Sequence, residues 1–126
     1  DRCKNLVSIN IPESVTSIGE GAFYECESLK DINIPNNITS IGAQTFEFCY
    51  SLTDVVIPEG ITSIGRSAFD TCKSLTEVTI PESVTSIGEF AFSGCDRLTF
   101  YCFRDSYADG YIKAEYPTMP CVYIGE

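Results

Sequence analysis

A 23-residue repeat runs through most of this 126-residue chain and constrains its fold more than any other feature. Ile-Pro recurs at Ile11-Pro12, Ile34-Pro35, Ile57-Pro58 and Ile80-Pro81, and Ile-Gly at Ile18-Gly19, Ile41-Gly42, Ile64-Gly65 and Ile87-Gly88. Phe23, Phe46, Phe69 and Phe92 keep the same spacing, as do Leu6, Leu29, Leu52, Leu75 and Leu98, and Cys3, Cys26, Cys49, Cys72 and Cys95. A fixed period of this length predicts a solenoid, in which each unit buries its apolar face only against its neighbours. Such an architecture offers a surface for binding and no deep catalytic cleft.

Residues 75–97 serve as the model unit. Val78 and Ile80 alternate with Glu77 and Thr79, the period of a strand with one buried face. Pro81 cannot donate to a sheet ladder, so each strand is predicted to be three to five residues long. Stacked units then form a parallel sheet along one side of the coil. Val84 and Ile87 return inward, with Thr85 and Ser86 between them facing out or bonding to backbone. Glycine at position 88 and its three equivalents implies a positive φ or a very close backbone approach. Ala91, Phe92 and Cys95 fit a single helical or 3-10 turn that closes the unit. Thr45 stands where other units carry Ala22, Ala68 and Ala91, so its hydroxyl must bond locally.

The unit L-x-x-L-x-I-P-x-x-[VI]-T-S-I-G-x-x-[AT]-F-x-x-C resembles the BspA-like, or Treponema-type, leucine-rich repeat. The resemblance covers about residues 1–103, and four complete copies agree at ten or more positions. It departs from the commoner leucine-rich repeat, because the cysteine closes the unit and does not follow the strand. The resemblance implies an α/β, strand-rich, right-handed leucine-rich-repeat solenoid with short parallel strands. It also implies an adhesive or protein-binding role without catalysis, on secreted or surface proteins of bacteria, many living on host mucosa, and of some parasitic protists.

The pattern breaks after Leu98. Tyr101 and Phe103 are expected at the inward positions of a fifth strand, with Arg104 replacing the proline. Asp105-Ser106 suits the N-cap of a helix through Tyr107, Ala108, Tyr111, Ile112 and Glu115, ended by Pro117 and Pro120. Cys121-Val122-Tyr123-Ile124 reads as a last strand. Residues 104–126 therefore form a C-terminal cap to the solenoid of residues 1–103, and Ser106-Tyr107-Ala108 followed by Tyr111 is similar to the caps of BspA-like proteins. Residues 1–5 hold only the tail of a unit, so further repeats or a cap are expected upstream.

Eighteen acidic against eight basic residues give a net charge of −10, which argues against nucleic acid and against electrostatic docking on anionic lipid. No apolar run approaches the roughly 20 residues that cross a bilayer. The chain has no histidine, which excludes Cys-His and Ser-His nucleophilic arrangements, and every glycine-rich stretch belongs to the repeat. Five of the seven cysteines form a ladder expected to be buried and reduced. No C-x-x-C pair exists, and nothing in the spacing converges four ligands, so neither a metal nor a cofactor is expected.

Three sets of exposed residues are candidates for contact. Stacking places Ser8, Asp31, Asp54 and Glu77 in a row, spaced by roughly 5 Å, the separation of neighbouring strands. Like charges at that distance repel by just under ~1 kcal/mol per pair in water, so the row suits a basic peptide or simply a solvated face with Lys30 partly compensating. Beside it run Asn10, Asn33, Val56, Thr79 and Cys102, mostly small polar groups suited to an extended partner or to an idle strand. Tyr24, Phe48, Tyr50 and Phe90 are aromatics at positions that are polar in sister units, fit either for a contact or for covering the next unit. Cys102, expected on the exposed face, and Cys121 on the adjacent strand are candidates for a disulfide that closes a loop of about twenty residues. Asn37-Ile38-Thr39 is a sequon, of use only in a eukaryotic secretory setting. Two functions follow. One is an extracellular or cell-surface module that binds a host or microbial surface protein or a basic peptide, and the other is a spacer or stalk of repeats with recognition elsewhere.

Overall fold

Each 23-residue unit makes one turn of a right-handed solenoid in the computed structural model, which describes residues 3–125. Three-residue strands lie on one side: β1 (Ser8–Asn10), β2 (Asp31–Asn33), β4 (Asp54–Val56) and β6 (Glu77–Thr79), with two-residue strands β3 (Ser40–Ile41), β5 (Ser63–Ile64) and β7 (Ser86–Ile87) between and after them. β8 (Thr99–Phe103), helix α1 (Tyr107–Glu115) and β9 (Cys121–Ile124) follow. The strand side divides into a β1-β2 pair and a β4-β6-β8-β9 sheet, all parallel, where the sequence implied one unbroken sheet. The Thr-Ser-Ile-Gly segment, expected only to return inward, builds a second parallel sheet, β3-β5-β7.

The core is a set of side-chain ladders. The rings of Phe23, Phe46, Phe69 and Phe92 stack face to face at 5.5, 5.2 and 5.3 Å between centroids. Leu29, Leu52, Leu75 and Leu98 are fully buried beside them. The Thr45 hydroxyl donates to the Gly42 carbonyl at 2.8 Å, which makes its burial tolerable.

The segment that closes each unit is a run of i→i−3 turns and contains no helix, as in Ala68 N–H to Gly65 O and Cys72 N–H to Phe69 O. A helix is prevented by two left-handed residues per unit. One is Gly21, Gln44, Ser67 or Phe90, and the other is Glu25, Phe48, Thr71 or Gly94. These kinks turn alternate N–H groups along the solenoid axis, so that Gln44, Phe46 and Phe48 donate to Arg66, Ala68 and Asp70 of the next coil. The glycine of Ile-Gly plays another part. A Cβ on Gly88 would sit 2.5 Å from the Arg66 nitrogen and one on Gly65 2.5 Å from the Ala43 nitrogen, so close approach of successive coils is what demands it.

The last helix and strand lie at 107–115 and 121–124, with Ser106 as N-cap accepting from the Asp109 N–H at 3.2 Å. The strand before them departs from the expected pattern. At Thr99 the register slips by one residue, so that Phe100 pairs with Val78 and Tyr101 with Thr79. Phe100 and Cys102 point inward and are fully buried, while Tyr101 and Phe103 are half exposed, the reverse of the expected pattern. The slip lets the Phe100 ring close the phenylalanine stack edge-on at 5.2 Å from Phe92, and leaves the Tyr101 hydroxyl in reach of water.

Candidate functional site

The short strands present their odd-facing residues outward, because Ile32, Val55 and Val78 take the inward positions. Ser8, Asp31, Asp54 and Glu77 are all exposed, and Ser8 pairs with Asp31 and Asp54 with Glu77 in register. The second row is exposed too, and the Asn33 amide donates to the Asn10 side-chain oxygen at 3.3 Å, the start of an amide ladder. Val56 in that row is 77% exposed. Cys102 leaves the row because of the register slip, and Tyr101 takes its place beside Thr79.

A shallow groove of ≈ 370 Å³ lies over β1 and β2 and reaches Val56 of β4. Ser8, Asn10, Asp31, Asn33, Asn36 and Val56 line it, so one carboxylate, three amides and an apolar floor meet on the strand face. A smaller recess of ≈ 140 Å³ lies between β4 and β6, bordered by Asp54, Val56, Glu77 and Thr79. Both are open to solvent and suit an extended chain lying across the strands.

The aromatic candidates form a separate cluster on the turn side. Tyr24 meets Phe48 edge-on at 5.7 Å, Phe48 meets Tyr50 at 6.1 Å, and the Lys73 ammonium lies 4.7 Å over the Tyr50 ring. All three rings are half buried, so they cover the flank of the adjacent coil as well as facing solvent. Phe90 stands apart, half exposed beneath the Arg66 guanidinium at 5.8 Å. The Asn37 amide is engaged, donating to the Glu13 carbonyl at 2.9 Å.

The structure also brings Cys102 and Cys121, paired in the sequence as candidates for a disulfide, together with Asp109, which the sequence did not single out. Cys102 Sγ and Cys121 Sγ lie 3.3 Å from one another, and a carboxylate oxygen of Asp109 joins them with all three atoms within 4.8 Å. Asp109 is 2% exposed. Its carboxylate accepts from the Tyr123 hydroxyl at 2.9 Å and the Asp105 N–H at 2.8 Å, and the Lys113 ammonium stands 3.5 Å away. Burial opposes its ionisation, but these donors and the ammonium outweigh burial and hold the carboxyl below its ordinary range. Burial first, then Cys121, push the Cys102 thiol up to about 12. The repeat period hid the part of Asp109 in this cluster, because it placed Cys102 on the outer face, away from the helix.

These features define a leucine-rich-repeat solenoid followed by one helix and a final parallel strand. The chain belongs to the BspA type leucine rich repeat region family, whose repeats match residues 1–109 in six copies. No curated protein matches it. Among solved structures it is similar to a leucine-rich repeat protein from Bacteroides ovatus, with 44% identity and a TM-score of 0.75, covering 78% of this chain and 25% of that one. It is also similar to a leucine rich cell surface protein from Faecalibacterium prausnitzii, with 38% identity and a TM-score of 0.75, covering 96% and 27% of the two chains. A T. pallidum leucine-rich repeat protein shares 37% identity at a TM-score of 0.76, covering 79% and 47%. The chain thus spans between a quarter and a half of the length of these relatives.

Proposed function

We propose that this chain is a non-catalytic binding and adhesion module of a secreted or cell-surface protein, and that its strand face receives an extended, basic segment of a host or microbial surface protein. The observation that carries the reading is the groove in which Asp31, Asn10, Asn33 and Asn36 converge around exposed Val56. The Asp31 carboxylate there, with Asp54 and Glu77 further along the row, attracts Lys and Arg, amides bond to an extended backbone, and the valine gives an apolar foothold. A net charge of −10 favours a basic partner further. The similarity to a cell surface protein of Faecalibacterium prausnitzii supports the extracellular setting.

The test is binding of the purified chain to a panel of host extracellular proteins, bacterial surface proteins and extended Lys/Arg-rich peptides. The triple variant Asp31→Asn, Asp54→Asn, Glu77→Gln is expected to weaken binding at least ten-fold, and wild-type binding is expected to fall as salt rises. Undiminished binding by the triple variant would move the site off the strand face. Failure to bind any of the panel would favour the spacer reading.

A further inference from the structure

Among the described residues, one cluster of metal-ligating side chains lies away from the strand face, inside the cap. Cys102 comes from β8, Cys121 from β9 and Asp109 from the first turn of α1, so three elements meet at this point. Two of the three residues are fully or almost fully buried. Buried sulfur and carboxylate ligands in such a set suit a borderline-soft divalent ion better than magnesium or calcium, which take oxygen alone.

The register separates this from a bridged pair. Cys121 stands opposite Phe100, and Cys102 opposite Tyr123, so the two cysteines are diagonal on parallel strands. One strand spacing across and two residues along put their Cα atoms about 8 Å apart. Bridged cysteines seldom exceed about 7 Å. From 3.3 Å, the sulfurs would have to close by more than 1 Å to reach the roughly 2 Å of a covalent bond. They need only open by about 0.4 Å to share a tetrahedral zinc, across which two thiolates stand about 3.7 Å apart.

The surroundings also fit. The Tyr123 hydroxyl and the Lys113 ammonium face one oxygen of the Asp109 carboxylate and the Asp105 N–H the other, which orients the group and leaves a lone pair on the second oxygen, as partners of a metal-bound carboxylate do. Cys121 is half exposed, which gives the ion a path in and leaves solvent for a fourth position. Two thiolates and one carboxylate around a divalent ion carry a net charge of −1, which the neighbouring Lys113 ammonium balances.

We propose that Cys102, Cys121 and Asp109 bind one zinc-class divalent cation that ties α1 and β9 to the end of the solenoid. Binding releases the two thiol protons to solvent and forms two metal–sulfur bonds and one metal–oxygen bond, with no change of oxidation state. It does not depend on the strand-face reading.

The reduced chain, titrated with Zn²⁺ and with Cd²⁺ under anaerobic conditions, tests this by native mass spectrometry and by thiolate-to-cadmium absorption. One ion per chain is expected, and Cys121, half exposed in the metal-free fold, is expected to lose its reactivity towards alkylating reagents in the native protein once the ion is bound. Cys121→Ser is expected to weaken binding at least a hundred-fold, and Tyr123→Phe ten-fold, while Asp54→Asn on the strand face leaves it unchanged. Absence of stoichiometric binding by the folded wild-type chain would overturn the proposal. So would binding that Cys121→Ser leaves intact, or a Cys102–Cys121 disulfide whose reduced form takes up no ion.

Discussion

The Tyr116 hydroxyl oxygen accepts a hydrogen bond from the Phe92 backbone N–H at 3.1 Å, and through it the cap completes the last coil. In every earlier coil the equivalent N–H, that of Phe23, Phe46 or Phe69, donates to the carbonyl of the following coil. Phe92 has no following coil, so a side chain takes over. Tyr107 likewise accepts from the Ile87 N–H at 3.3 Å, and the Tyr111 hydroxyl donates to the Gly88 carbonyl at 3.0 Å. The tyrosines thus replace part of a missing repeat, while the Tyr116 ring stacks on Phe100 at 5.8 Å.

Tyr116→Phe keeps that ring and removes the acceptor. Leaving a buried N–H unsatisfied costs about 1–3 kcal/mol. The expected result is a lower denaturation midpoint with unchanged far-ultraviolet circular dichroism. A variant as stable as wild type would show that water serves Phe92 as well as the tyrosine does.

The phenylalanine stack is the densest part of the core. Phe46→Ala or Phe69→Ala should destabilise by about 3–5 kcal/mol, since each ring is fully buried between two others. Chemical denaturation measures this directly, and a shift below ~1 kcal/mol would mean that the stack collapses to fill the gap.

Much of this coil is legible in the sequence, because a period of 23 fixes which residues lie above one another. The stack of Phe23 to Phe92, the burial of Cys26, Cys49, Cys72 and Cys95, and the last helix all follow from spacing and capping chemistry, whereas Cys3, expected in the same buried ladder, is half exposed. Besides the second sheet and the break in the first, two things escape the sequence. Left-handed residues are invisible when glycine fills only Gly21 and Gly94 of eight such positions and Phe48 or Phe90 others. The slip at Thr99 is equally silent, since Leu98 still obeys the period and both Phe100 and Tyr101 are plausible core residues. That slip moved Cys102 inside and created the cluster with Asp109 and Cys121.

Glycines test the reading of the turn. Gly88→Ala should destabilise by about 1–3 kcal/mol, because its Cβ would overlap backbone atoms of Arg66 that cannot swing aside. Gly19→Ala should be close to neutral, as no atom lies within 4 Å of that Cβ. Gln44→Gly, at an exposed residue with φ of 60°, should stabilise by up to about 1 kcal/mol through relief of the left-handed backbone. Thermal unfolding of the three variants side by side decides the matter, and equal effects of Gly88→Ala and Gly19→Ala would overturn the account of close approach.

The cysteine ladder makes stability depend on alkaline pH. The thiols of Cys49, Cys72 and Cys95 donate to the carbonyls of Phe23, Phe46 and Phe69, one coil back, at 3.2, 3.2 and 3.1 Å. Burial, reinforced by neighbouring thiols, pushes Cys26 up to about 11 and Cys49 up to about 12, from an ordinary 9.0. Cys95 and burial drive Cys72 upward as well. The folded state therefore holds protons that the unfolded chain gives up. Below about pH 9 this contribution is complete, and as pH rises from 9 towards 12 stability falls, because the unfolded state then binds fewer protons. Denaturation midpoints measured from pH 7 to 11 should drop, and a Cys49→Ala variant should show a shallower decline from a lower starting point. Over the same range Cys26, Cys49 and Cys72 should resist alkylation in the native protein while half-exposed Cys121 reacts. Fast native labelling of Cys49 at pH 8 would place its thiol in solvent and remove the ladder from the core.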